Sequence, residues 1–595
     1  MDRREKTSYI DKNTVLSLLI PAAVMYLFEA YTHNPFVRMK PGIQALNILL
    51  FMMIEAMLFF ITGRLRTALR SMCVVFMIFG LAEYYLVEFR GVTLLPWDIG
   101  SLGTAAEVAG GYSYVPGTRA VLCIAGFIVL FLICGFADLK LAGYPAFRAL
   151  GSLVSVFLII LYTLFVQTDF AEETFGFYTK LFTPTAISER DGTLTAFLME
   201  LQYVNVQKPQ GYSREEAEKI LDGYMSEEGR KDKANIIVVM NEAFSDLSVL
   251  NPFETNEDYM PFVHSLQQDG KNVVTGELNV SIVGGNTPNT EFEFLTGDTL
   301  AFLPEGSIPY QQYVRDGIYA MPAYLKETGY ATTGMHPYYA KGWERNRVYP
   351  ELGFEKTMFL DSFDKNADKL RGYVSDMACS KQIIREYEEN LSSGKPLFAF
   401  LVTMQNHSPY EEAGDEMPDD VKILTDKDIG KKDTTERYLS LIKRSDEAFE
   451  YLTDYFSGTD DPTVIVFFGD HEPSDPVVRP VLRVAGKDTR NLSEEDVENR
   501  YVVPYVIWAN FDIGEEHGRN TSANLLGNDV LRIAGAGAYP YRVFLDEVAG
   551  EYPVLSAIRI MDRDGRLLGT REAEEDPLIG KYRKLQYYEL FDRDR

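Results

Sequence analysis

Ile236-Ile-Val-Val-Met240 runs directly into Asn241 and Glu242, and Val464-Ile-Val-Phe-Phe-Gly469 runs the same way into Asp470, His471 and Glu472. Each is a short, unbroken apolar run of the kind expected for a strand covered on both faces, and each stops at groups able to bind a cation or an anion. Two further runs repeat the pattern. Tyr330-Ala-Thr-Thr-Gly-Met335 leads to His336, and the run from Leu397 to Met404 leads to Gln405-Asn406-His407. Helical stretches separate the four, which predicts an α/β domain with a mostly parallel central sheet and helices on both faces. In such sheets ligands bind beyond the carboxyl ends of the strands, so these polar groups are expected to converge.

One histidine after a strand is commonly structural. Here three of the chain's six histidines stand at strand ends together with Glu242 and Asp470. That set of oxygen and nitrogen donors suits a divalent cation such as Zn²⁺ or Mn²⁺. A nucleophile is offered by Val283-Gly-Gly-Asn-Thr287-Pro-Asn-Thr290-Glu-Phe292. Its paired glycines let the backbone approach an anion, and Thr287-Pro288 can open a helix whose amides face phosphate. Thr290 and Thr296 supply alternative hydroxyls, and the same stretch also reads as an ordinary helix start.

Outward from this domain the composition changes. Five apolar segments, near 14–31, 42–63, 68–87, 118–136 and 149–166, approach or reach the ~20 residues that cross a bilayer. The first follows Arg3, Arg4 and Lys6 but has no small-residue cleavage site after it, so it is expected to be retained. Lys and Arg concentrate at the N-terminus (with Lys12), in the second connection (Arg64, Arg66, Arg70) and in the fourth (Lys140, Arg148); the other side has Arg38, Lys40, Arg90 and Arg119. That bias predicts a cytoplasmic N-terminus and, after five crossings, an extracytoplasmic α/β domain. Glu29, Glu55 and Glu83 fall in or near these segments, where a carboxyl needs either an interhelical hydrogen bond or a polar pocket such as one for a lipid headgroup. The connection 91–117, with Leu95-Pro96-Trp97-Asp98, is expected at the membrane interface.

The expected organisation is a five-helix transmembrane domain (1–168), a helical linker (169–233), a catalytic α/β domain (234–550) and its C-terminal extension (551–595). A net charge of -28 over 595 residues excludes a nucleic-acid partner of the usual basic kind. Of four cysteines only Cys379 lies beyond the apolar segments, so the outer domain holds no internal disulfide.

The chain resembles the lipoteichoic acid synthases and related phosphoglycerol transferases of the sulfatase and alkaline phosphatase superfamily. The resemblance rests on motifs in order: Asn241-Glu242-Ala-Phe-Ser-Asp, Thr287-Pro-Asn-Thr-Glu291-Phe292, His336 with Trp343-Glu-Arg345, Asn406-His407, and Gly469-Asp470-His471-Glu472-Pro473. It implies that Glu242, Thr287, Asp470 and His471 hold one Mn²⁺-like ion, with Mg²⁺ or Zn²⁺ as alternatives. His336, Trp343, Arg345 and His407 would contact a phosphoglycerol group. It further implies phosphatidylglycerol as donor, a glycolipid or poly(glycerol phosphate) chain as acceptor, a covalent intermediate on Thr287, and His407 as the group that protonates departing diacylglycerol. Two features depart from the family: Asn286 stands where a lysine is frequent, and no release site is evident near Phe170-Ala171. A phosphoethanolamine transferase fits less well, because those enzymes have a disulfide-rich outer domain. A sulfatase lacks support because Thr287 is not in a formylglycine motif. Intact candidates at every metal position argue against a non-catalytic sensor.

Overall fold

The computed structural model describes residues 11–593 apart from 91–92, 100–114, 142–143, 178–183, 202–205, 305, 316, 411–416 and 490–491. Arg3, Arg4, Lys6 and most of the 91–117 connection lie outside the described residues. The chain divides into two compact units, one of residues 1–99 and 111–205, the other of 206–595 with 100–110. The expected linker is thus shared between them.

In the first unit a helix stands at each of the five expected positions: α1 (Lys12–Glu29), α2 (Pro41–Thr62), α3 (Leu65–Arg90), α4 (Thr118–Ile133) and α5 (Pro145–Val166). Four of them, α2 to α5, are long and apolar enough to cross a membrane. Helix α1 reaches both ends of α4. Lys12 pairs with Asp138 at 2.5 Å just beyond α4, while Arg119 at its start donates to the carbonyl of Thr32. The backbone of Gly63 and Leu65 bonds that of Leu141 and Leu139, so the N-terminal end of α1 and the second and fourth connections meet at one end of the bundle.

The membrane-region carboxylates are engaged. Glu29 accepts bonds from the backbone N–H and hydroxyl of Thr193 at the start of α6 (Thr193–Glu200), Glu83 from the N–H of Leu94 at 2.8 Å, and Glu55 from Ser17 at 3.5 Å. Glu29 thus bonds the start of another helix and Glu83 the connection after its own helix, as buried polar groups in an apolar setting must find partners.

The second unit is built on a sheet of β1 (Asn235–Asn241), β2 (Val273–Asn279), β3 (Ala331–Met335), β4 (Lys356–Met358), β5 (Leu397–Val402), β6 (Thr463–Gly469), β7 (Val502–Ala509), β8 (Glu515–Glu516) and β9 (Thr521–Ser522). The strand order is β8-β2-β7-β6-β1-β5-β3-β4, with β9 also paired to β2. The five strands from β6 to β4 run parallel; β7 runs antiparallel to both of its neighbours, so the sheet is mixed. Every residue of β1, β5 and β6 is buried, as parallel strands covered on both faces require.

Alternate residues supply the two layers. Ile237, Val239 and Phe467 pack with α8 (Asp376–Asn390) and α9 (Asp433–Ser457) on one face. On the other, Phe294 of α7 (Pro288–Thr296) stacks on Phe400 with centroids 5.9 Å apart. The register sets Asn241 opposite Gly469, which brings the residues after β1 beside those after β6.

Candidate metal centre and nucleophile

Glu242, Asp470 and His471 each offer a donor atom, and the three donors lie within 4.8 Å of one another. Nε2 of His471 is 3.3 Å from Asp470 and 3.8 Å from Glu242. The close approach depends on Gly469: a side-chain carbon there would meet the carbonyl oxygen of Phe244 at 1.9 Å. Ala243, at φ 49, turns the chain so that its N–H donates to Asp470 at 2.7 Å. Asp470 Oδ2 and His471 Nε2 are buried and, among the described residues, have no hydrogen-bond partner. Burial, and then the neighbouring Asp470 carboxylate, push Glu242 well above the usual carboxylate range, and burial raises Asp470. Orphaned donors and carboxylates crowded in a dry place fit a divalent cation, which removes both costs.

Thr287 lies 3.3 Å from Glu242 through its hydroxyl. Gly284 (φ 71), Gly285 (φ 153) and Asn286 (φ 64) form the left-handed approach to it. The other two hydroxyls are occupied elsewhere: Thr290 donates to the carbonyl of Asp470 at 2.7 Å and Thr296 to that of Phe292 at 2.7 Å. Of the three threonines, Thr287 is the one that faces the carboxylates.

The three strand-end histidines share one arrangement. Nδ1 of His336 is 3.0 Å from the carbonyl of Val402, that of His407 is 2.8 Å from Ser408, and that of His471 is 2.9 Å from Glu472. A carbonyl only accepts, so each Nδ1 carries hydrogen and each Nε2 is turned to other duty. Burial, then Arg345, hold His336 well below the usual imidazole range, and burial pushes His407 down to about 4. Both are neutral at rest.

Arg345 is buried, and its Nε and Nη2 bond Glu291, which also accepts from Tyr310 at 3.3 Å and Tyr349 at 2.8 Å. One face of the guanidinium fork is thereby committed to a carboxylate. Trp343 and Glu344 precede it in left-handed conformations, φ 54 and 57, which only a well-packed surrounding sustains.

A buried polar network that sequence reasoning missed lies behind Glu242. Asp376 accepts from Asn241 at 2.7 Å and Ser445 at 2.6 Å; Asn406 donates to Asn241 at 3.0 Å and Ser445 at 2.9 Å; Thr403 receives the N–H of Glu242 at 3.1 Å. In sequence Ser375-Asp376 signals only a helix start, and Ser375 does cap α8.

Residues 234–536 match the sulfatase family. The chain belongs to that family. A Rhizobium meliloti (strain 1021) protein named for cyclic β-1,2-glucan modification is 31% identical over 409 residues, 68% of this sulfatase-family chain and 62% of the relative. A lipoteichoic acid synthase of Staphylococcus saprophyticus is 27% identical over 248 residues, 41% of the chain and 36% of the relative. The chain therefore spans less than two thirds of either relative. Among solved structures, Streptococcus pyogenes phosphoglycerol transferase GacH, in complex with sn-glycerol-1-phosphate, matches with a TM-score of 0.51 at 19% identity, covering 64% of this chain and 94% of that one. At that identity the likeness is one of fold.

Proposed function

We propose that the chain is a membrane-bound phosphoglycerol transferase: it moves glycerol phosphate from phosphatidylglycerol through a Thr287-linked intermediate to a saccharide-bearing acceptor. The observation that carries this reading is the Thr287 hydroxyl facing Glu242 beside Oδ2 of Asp470 and Nε2 of His471, neither of which has a hydrogen-bond partner among the described residues. Membership of the sulfatase family and the relative named as a lipoteichoic acid synthase support the reaction class. The glucan-named relative favours a glycolipid or glycan acceptor over a pure poly(glycerol phosphate) chain.

Glu242, Asp470, His471 and Thr287 would hold the divalent ion. Bound there, such an ion, Mn²⁺ by resemblance and otherwise Mg²⁺ or Zn²⁺, supplies charge neutralisation and favours loss of the threonine proton. Thr287 Oγ1 attacks phosphorus in line, forming one P–O bond as the bond to diacylglycerol breaks. Thr287 loses a proton and the diacylglycerol oxygen gains one. A neutral His407 balances the step as a relay through Nε2 rather than as a stored acid. The acceptor hydroxyl then attacks the same phosphorus, the bond from phosphorus to Thr287 breaks, and the proton lost by the acceptor passes to the Thr287 oxygen. His336, Trp343 and the uncommitted part of Arg345 would orient the glycerol phosphate, positioning being the main demand of phosphoryl transfer.

Five crossings, with the catalytic unit outside the cell membrane, are the topology we propose. The span of α1 along α4 and the asymmetry of Lys and Arg support it.

The test uses the purified full chain, Mn²⁺ and phosphatidylglycerol labelled in its terminal glycerol. Wild type should release or transfer label, and Thr287→Ala should lose at least about a thousandfold of that activity. Normal label transfer by the variant would end the assignment of the nucleophile.

A further inference from the structure

His336 and His407 are joined by a row of aromatic rings. Tyr338 lies 6.3 Å from the His336 ring, Tyr339 4.6 Å from Tyr338, Tyr373 6.1 Å from Tyr338, and His407 6.0 Å from Tyr373, centroid to centroid. Tyr338 and Tyr373 are half-buried, and Tyr339 is 53% exposed.

The row is held in place from beneath. The backbone N–H of Tyr338 bonds the carbonyl of His336 at 2.8 Å, and the carbonyl of Tyr339 accepts from Gly342 at 2.9 Å. Tyr373 follows the Arg371-Gly372 turn, both residues left-handed at φ 56 and 82, in the short hairpin Lys369–Leu370 with Tyr373–Val374. Arg371 fastens this turn to the histidine loop by donating to the carbonyls of His407 at 3.1 Å and of Pro409. Its guanidinium also lies 5.9 Å over the Tyr373 ring. A partly exposed aromatic row fixed this firmly has little order left to lose on binding.

We infer that this row is an acceptor subsite for a sugar ring, which would lie on Tyr339 and Tyr338 with a hydroxyl directed between His336 and His407 toward the phosphorus on Thr287. The inference rests on the transferase reading above and adds the residues that would receive the acceptor's sugar. A pyranose has an apolar C–H face and a rim of hydroxyls, and tyrosine matches it with an apolar ring face and a polar tip. An acyl chain or membrane surface would call for a cluster of exposed aliphatic side chains. Among the described residues of this segment, 336–345, Tyr339 is the only large hydrophobic side chain so exposed.

The experiment titrates the full chain, in a sugar-free detergent, with a β-1,2-linked glucose oligosaccharide, read by saturation-transfer NMR. Wild type should bind it; Tyr339→Ala and Tyr373→Ala should bind about tenfold more weakly. Tyr339→Trp should restore affinity, and Tyr451→Ala, an exposed tyrosine on α9, should bind as wild type does. Absence of binding by wild type, or equal affinity in Tyr339→Ala, overturns the inference. So does a variant that raises the KM for phosphatidylglycerol while saccharide affinity holds, since the row would then serve the lipid. Thr287→Ala should bind the oligosaccharide normally, because that interaction needs no nucleophile. Failure of wild type to turn over phosphatidylglycerol would instead strike the transferase reading, so the two failures are distinguishable.

Discussion

Asp376 illustrates what a single buried carboxylate can do without touching a substrate. Its Oδ2 gathers Asn241 and Ser445, and through them Asn406, so the peptide that carries Glu242 is held by bonds invisible in the local sequence. Asp376→Ala leaves two buried partners unsatisfied and should lower stability by about 3 kcal/mol, whereas Asp376→Asn, which can still accept both bonds, should cost about 1 kcal/mol. If Asp376 is a positioning residue for Glu242, both variants also weaken Mn²⁺ binding in titration calorimetry, in the same order; unchanged metal affinity with lost stability would reduce it to a packing role. The other site residues differ in how far the sequence disclosed them. Glu242, Asp470 and His471 are legible because each stands within two residues of the end of an apolar run. The bond from Arg345 to Glu291 is not, since it joins residues 54 apart whose pairing only the packed helices decide.

At the scale of elements, the loop after β1 is tied to the helix Pro261–Asp269 by His264, which sits 2.9 Å from Asp258 and 3.5 Å from Asp246. Burial opposes its charging, but the two carboxylates outweigh that and raise it to about 9, from an ordinary 6.5. The folded-state value is the higher one, so the stabilisation is complete below pH 6.5 and fades as pH rises through 9. His264→Gln should therefore unfold more easily by about 2 kcal/mol at pH 6, with the gap closing by about pH 9.5 in denaturant titrations of the detergent-solubilised chain. A gap independent of pH would mean that packing, not charge, holds this contact. Four strand positions were legible from their apolar runs, but β7 and its direction were not. The run Val502–Ala509 carries no mark of being antiparallel, because its burial matches that of the parallel strands and only its connection reverses it.

For the whole molecule, the change from apolar to charged composition is the plainest signal in the sequence, and two units follow from it. Their boundary near 205 lies within the stretch expected as a linker, because helices such as α6 join the first unit through contacts like Thr193 to Glu29 that no periodicity encodes. Mn²⁺ at 1 mM should raise the melting temperature of the wild-type chain by several degrees, as a ligand bound only to the folded state does. Asp470→Asn should abolish most of that rise; an equal rise in the variant would locate the ion elsewhere.

The histidines add a last consequence, one of repair rather than chemistry. His471 is oriented by a main-chain carbonyl, and the loop holding Asp470 is fixed by the N–H of Ala243 and the tight fit of Gly469. These contacts are made by the backbone. If the proposed ion is held there, a chain stripped by a chelator should keep this frame, so that reloading would be a matter of diffusion and not of refolding, unlike small domains that exist only while their metal is bound.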